Sequence, residues 1–164
     1  MMSYSALDDT DNIDLIEQIV KKYNWEYNRI NDNQITMVAQ GQWRTYSITL
    51  AWSAHDQTLR LICTFEIEPQ AQRIEELYKC LNLANDRCWV GAFTYVEDKK
   101  LLVYRYGLIL TGEKIVSPDQ INKIIDIAVM STERFYPAFQ LISSSDQTPE
   151  QALQVAITKA YGHA

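Results

Sequence analysis

The clearest pattern in the chain is a strict alternation. Tyr46, Ile48, Leu50 and Trp52 alternate with Thr45, Ser47, Thr49 and Ala51. After a turn at Ser53–Gln57, Leu59, Leu61, Cys63, Phe65 and Ile67 alternate with Thr58, Arg60, Ile62, Thr64 and Glu66. A period of two is that of a strand with one face buried, so these runs predict an antiparallel pair. Upstream, Gln34–Gln40 predicts a strand that enters the pair through Gly41-Gln42, read as a two-residue hairpin loop with glycine supplying a positive φ. Trp25–Ile30 predicts a short strand before the turn residues Asn31-Asp32-Asn33. Downstream, Trp89–Glu97 and Lys100–Leu110 predict two more strands, joined at Asp98-Lys99. The last is apolar on both faces, Leu102, Tyr104, Leu108 and Leu110 against Leu101, Val103 and Ile109, which predicts an interior position. Gly107 inside it predicts a bulge or a close approach of another backbone.

Helical spacing marks four segments. Ile13, Ile16, Ile19, Val20 and Tyr23 form a stripe on a first helix that starts at Asp11 or Asn12, with Lys21 and Lys22 at its negative end. Pro69 opens a second, with Ile74, Leu77, Tyr78 and Leu81 on one face and an end near Asn82–Asp86. The longest pattern begins at Ser117-Pro118-Asp119-Gln120, a hydroxyl cap with proline at the first turn and glutamine three residues on. Ile121, Ile124, Ile125, Ala128, Thr132 and Phe135 line its face. Pro137 lacks the N–H that the residue four places back requires, so a kink or an end is expected near Tyr136. Thr148-Pro149-Glu150-Gln151 repeats the start signal and opens a short last helix lined by Leu153, Ala156, Ile157 and Ala160 and ended by Gly162.

The order is therefore α–ββββ–α–ββ–α–α. Strands in antiparallel runs, without βαβ alternation, predict an α+β fold: a sheet of five or six strands with helices on one face. The 164 residues read as a single domain. Residues 1–11, polar and acidic, are expected to form a loose arm, and residues 148–161 an add-on helix that is detachable in principle.

Charge narrows the partners. The net charge is −6 and the pI is about 4.9. Nucleic-acid binding needs a basic footprint, so no nucleic acid is expected as partner. No apolar run is long enough to span a bilayer and no signal-peptide pattern opens the chain, so no membrane association is expected. Cys63, Cys80 and Cys88 are odd in number and carry no CxxC spacing, which suits reduced, buried thiols in a cytoplasmic protein.

Catalytic and cofactor signals are lacking. There is no GxGxxG, no Walker-type loop and no GxSxG. His55 and His163 lie far apart, and His55 sits in a turn. Cys88, beside Trp89, has no nearby histidine or lysine to lower its pKa, and it reads as structural. Asp8, Asp9 and Asp11 lack the loop pattern of a calcium site and read as a solvated acidic arm. No catalytic, cofactor-binding or metal-ligating residue is assigned, and no enzymatic activity is expected. Glu133 and Arg134 read as a solvated pair. Arg105, flanked by Tyr104 and Tyr106, interrupts an apolar strand and is read either as lying along the sheet or as part of a binding groove or dimer interface.

Several stretches carry a family likeness: Leu81-Asn82, Cys88-Trp89-Val90-Gly91-Ala92-Phe93, Leu102-Val103-Tyr104-Arg105-Tyr106 and Glu133-Arg134-Phe135-Tyr136-Pro137-Ala138-Phe139-Gln140. Together, over residues 12 to 161, they resemble the YbjN-domain family of bacterial proteins, labelled sensory transduction regulators. That family is similar in fold to type III secretion chaperones, which are small, acidic, cytoplasmic, dimeric α+β proteins that hold an unfolded client segment. The resemblance implies that fold and mode of work. The chain departs from the chaperones in its last helix and in the strand at Trp25–Ile30.

The expected function is that of a non-enzymatic, chaperone-like or adaptor module, homodimeric, binding a protein or peptide by apolar contact or by strand addition. Tyr104, Arg105, Tyr106, Phe135, Tyr136 and Phe139 are the expected partner or dimer surface. The alternative is a small-molecule sensor with an apolar pocket between sheet and helices.

Overall fold

The computed structural model describes residues 3–111 and 116–162, with side chains over 12–111 and 116–158. The strands are β1 (Tyr27–Asn31), β2 (Gln34–Gln40), β3 (Thr45–Ser53), β4 (Thr58–Glu66), β5 (Ala92–Val96) and β6 (Leu101–Ile109). They form one antiparallel six-stranded sheet in the order β1-β2-β3-β4-β6-β5. The helices are α1 (Ser3–Lys22), α2 (Ile74–Asp86), α3 (Pro118–Ser144) and α4 (Pro149–Gly162). The α+β class and the order of elements are those the alternation predicts.

Register explains the one-sided core. Met37 pairs with Ile48, Ile48 with Cys63, Cys63 with Tyr104 and Tyr104 with Phe93, so one buried row crosses five strands. The row one residue away holds Thr36, Thr49, Ile62, Arg105 and Ala92, and it faces outward. Helix α3 covers the inner face: the Thr132 hydroxyl points at the Cys63 sulfur (3.6 Å), and Phe135 and Phe139 meet Phe93 edge to face at 5.7 and 5.2 Å. Strand β6 is interior, as its two apolar faces predict, and Val103 is buried even on the outer face.

Several expectations are corrected. The backbone is already helical from Ser3, where a loose arm was expected. The loop after β2 spans Gly41–Arg44, closed by Gly41 N–H donating to the Arg44 carbonyl at 3.0 Å, and Gly91 is the positive-φ glycine among the described residues, not Gly41. Gly41 is needed for space, because a Cβ there would collide with the Glu133 carboxylate and the Tyr46 ring. Gly107 makes no bulge; its pairing with Arg60 is regular, and a Cβ would meet only the Thr58 methyl at 3.3 Å. Helix α2 starts at Ile74, after a 3-10 turn at Ala71–Arg73.

The largest correction is in α3, which runs through Pro137 without ending. A proline inside a helix costs about 3 kcal/mol. Phe135, Ala138, Phe139 and Ile142 are all buried around it, and each large apolar side chain contributes about 1.5–3 kcal/mol on burial. Packing outweighs the local break. Both hydroxyl starts form full capping boxes: Gln120 N–H donates to Ser117 Oγ at 3.1 Å, and Gln151 N–H to Thr148 Oγ1 at 3.1 Å. Helix α4 is docked through Ala152, Leu153 and Ala156, and Arg73 fastens the connection by donating to the Ile142 carbonyl (3.1 Å) and the Gln147 carbonyl.

Candidate interaction surface

The segment Cys88–Gly91 joins α2 to β5; the Cys88 N–H donates to the Asn85 carbonyl at 3.0 Å, and a second tie lies at Val90. Gly91 has φ 78°, and its missing side chain leaves room for the Tyr104 ring. The Tyr104 hydroxyl then donates to the Val90 carbonyl at 2.7 Å. Burial is the main cause that pushes this phenol up to about 12, with the Ser131 side chain of α3 opposing through a hydrogen bond. Val90 and Ser131 thus meet at one hydroxyl. Their sequence neighbours are exposed: Trp89 is 98% exposed, the most of any large hydrophobic side chain among the described residues, and Met130 is 69% exposed. A fully exposed indole forgoes burial that is worth several kcal/mol in a core, so a large aromatic in that state marks a contact surface.

Two arginines, Arg87 and Arg134, border this corner. Arg134 lies one turn after Met130, close enough for its charge to act on the Cys88 thiol, whose pKa burial raises and Arg134 lowers. Arg87 caps the end of α2, and Arg105 sits opposite Ala92 on the outer face.

The six expected surface residues do not gather there. Tyr104, Phe135 and Phe139 are buried in the core, which corrects their assignment to a partner surface. Their rings, with Phe93, fill the space between sheet and α3 where a ligand pocket was expected. Tyr106 and Tyr136 are half-buried against the core, and Arg105 alone of the six is exposed. The strand period separates Arg105 from its two tyrosine neighbours by a full sheet thickness.

The sheet edges are poorly suited to strand addition. The free edge of β5 is closed at Phe93, whose N–H donates to Asn85 Oδ1 (2.7 Å) and whose carbonyl accepts from Asn85 Nδ2 (3.0 Å). At the other edge β1 is five residues long and its register shifts between Arg29 and Asn31. Short, irregular or covered edges are how sheets avoid further pairing.

A second constellation was missed. Glu133 is not paired with Arg134; it accepts from the Tyr46 hydroxyl at 2.5 Å and from Trp43 N–H at 3.4 Å. Arg134 instead lies over the Phe135 ring at 5.0 Å. Arg44 lies over Phe65 (5.4 Å) and Tyr136 (6.0 Å) and donates to the Glu66 carbonyl at 3.1 Å. Clefts of about 460 and 290 Å³ flank Arg44, and both are open to the surface. No signal in the sequence pairs residue 133 with residue 46; only α3 lying across β3 does.

The three cysteines are unpaired, and burial pushes Cys63 and Cys80 up to about 12. Among the described residues no three His, Cys, Asp or Glu side chains lie together, and no helix is long and apolar enough to cross a membrane. The side chains of Asp8, Asp9, Asp11, Ala160 and His163 lie outside the described residues.

The pattern that defines a family described as "YbjN: Putative bacterial sensory transduction regulator" matches residues 12–141. The chain belongs to the YbjN family. The resemblance seen in the Cys88–Phe93 and Glu133–Gln140 stretches is thereby borne out. A solved structure described as "Crystal structure of YbjN, a putative transcription regulator from E. coli" shares 12% identity with this YbjN-family chain, covers 92% of each chain and superposes with a TM-score of 0.50. At that identity the likeness speaks for the fold. Among curated proteins none matches the chain. The family's description supports a regulatory role in general terms.

Proposed function

We propose that this YbjN-family protein is a non-enzymatic regulatory module that binds a protein or peptide partner in an adaptor or chaperone-like manner. The observation that carries the reading is the Trp89 corner, an indole 98% exposed and anchored at its base by the Tyr104–Val90 hydrogen bond. Tryptophan is among the side chains enriched at binding hot spots. The reading locates binding on side chains of this corner and not at a sheet edge, since Asn85 closes β5. Its setting is cytoplasmic, where unpaired thiols persist. The homodimer is a separate part of the proposal, read by light scattering on a size-exclusion column.

The test is photo-crosslinking in the cells that make the protein, with p-benzoylphenylalanine replacing Trp89 or, as a comparison, Gln40 at the far side of the sheet. A discrete polypeptide adduct at position 89 that is absent at position 40 is expected. Adducts of equal yield at both positions, or none at either, overturn the reading.

A further inference from the structure

The arginines of the chain divide into two groups by how they are satisfied. Arg29 is ion-paired to Asp14 and Glu17, and Arg60 to Asp56. Arg44 and Arg73 donate to backbone carbonyls. The remaining arginines, Arg87, Arg105 and Arg134, form no ion pair among the described residues; Arg87 adjoins Cys88 in sequence and Arg134 acts on the Cys88 thiol, whereas Arg105 stands on the opposite, outer face of the sheet. In a chain of net charge −6, two of the three unpaired guanidinium groups thus border the segment that carries the most exposed tryptophan. Asp86 and Asp126 lie at the margins of this patch in sequence.

We propose that the Trp89 corner docks an acidic linear segment of a partner protein, one whose carboxylates alternate with aliphatic or aromatic side chains. This rests on the protein-binding reading above and adds the partner's chemistry to it. Apolar side chains of the segment pack on Trp89, and its carboxylates meet Arg87 and Arg134, whose planar forks suit bidentate carboxylate contacts. A second copy of this chain is disfavoured as occupant, because a two-fold contact about the corner would set arginine against arginine. One exposed indole and two cations supply anchors for a short segment, where a standard interface between folded proteins takes about 800 Å² from each partner. A nucleic acid is disfavoured by the net charge.

The experiment is fluorescence polarisation with the full chain and a labelled peptide of alternating Glu and Leu or Phe. Comparison probes replace Glu by Lys, or Leu and Phe by Ser, and an oligothymidine is the nucleic-acid probe. Binding of the Glu-Leu/Phe peptide alone is expected, weakening with added salt and falling by about tenfold or more in each of Trp89→Ala and Arg87→Glu. Arg87→Glu is included because, unlike Arg134, Arg87 stacks on no ring whose loss would disturb packing. The proposal is overturned if the Lys peptide binds equally, if oligothymidine binds in place of the peptide, if no probe binds, or if Trp89→Ala abolishes self-association instead. A position-89 crosslink that survives failure of the acidic peptide leaves the protein-binding reading standing and removes only the acidic chemistry.

Discussion

Removing the Tyr46 hydroxyl should loosen α3 from the sheet by an amount the geometry fixes. The Tyr46 hydroxyl donates to Glu133 Oε1 at 2.5 Å across a sequence gap of 87 residues. Burial, and then the Glu133 hydrogen bond and charge, drive the phenol pKa well above its ordinary value, so it remains a donor throughout the working pH range. A hydrogen bond to a charged group contributes about 1.5–3 kcal/mol. Tyr46→Phe keeps the ring packed edge to face on Phe65 (5.8 Å), so no cavity opens. The expected loss is therefore about 2 kcal/mol, or about 4–8 °C in Tm for a chain of this size. Glu133→Leu strands the Tyr46 hydroxyl in a buried site and should cost a similar amount, about 1–3 kcal/mol. The double variant removes donor and acceptor together. It should lose about 2 kcal/mol and not about 4, a coupling of at least about 1.5 kcal/mol. Urea denaturation followed by far-ultraviolet circular dichroism measures all four species. Single losses that add to within about 0.5 kcal/mol would refute the claim that this bond joins α3 to β3.

Two further outcomes follow from the same packing. Gly91→Ala should destabilise by about 2–4 kcal/mol, from the left-handed backbone and the forced displacement of Tyr104 from Val90, whereas Gly107→Ala should stay within about 1 kcal/mol in thermal melts; equal effects would contradict the structure. Stability should fall on the alkaline side, because Cys63 and Cys80 have folded pKa values raised from 9.0 to about 12: their contribution is whole below pH 9.0 and is lost as pH rises toward 12. Urea melts at neutral and alkaline pH should show this slope in the wild type and a shallower one in Cys63→Ala, and parallel slopes would count against buried thiols as its cause.

What the chain determined by itself is what local spacing can encode. The period-two runs at Tyr46–Trp52 and Leu59–Ile67 specified strands and their inner faces, because a one-residue slip would turn every apolar side chain to water. Ser117 and Thr148 announced their helices, since a cap satisfies N–H groups within its own turn. Family membership was legible in short stretches such as Cys88–Phe93. Other features needed tertiary structure. Pro137 was misjudged because its local cost is met by the distant burial of Phe135 and Phe139. Gly41 and Gly91 look alike as letters, yet one makes room for Glu133 and the other for Tyr104, and each neighbour arrives from another element. Tyr104 and Arg105 were grouped by adjacency, and the strand period sent one into the core and the other to the outer face. Trp89 passed as one more aromatic in a strand. Its exposure, and the approach of Arg134 to the Cys88 thiol beside it, exist only once α2 and α3 converge on one corner, because a side chain's solvent contact is set by neighbours far away in sequence.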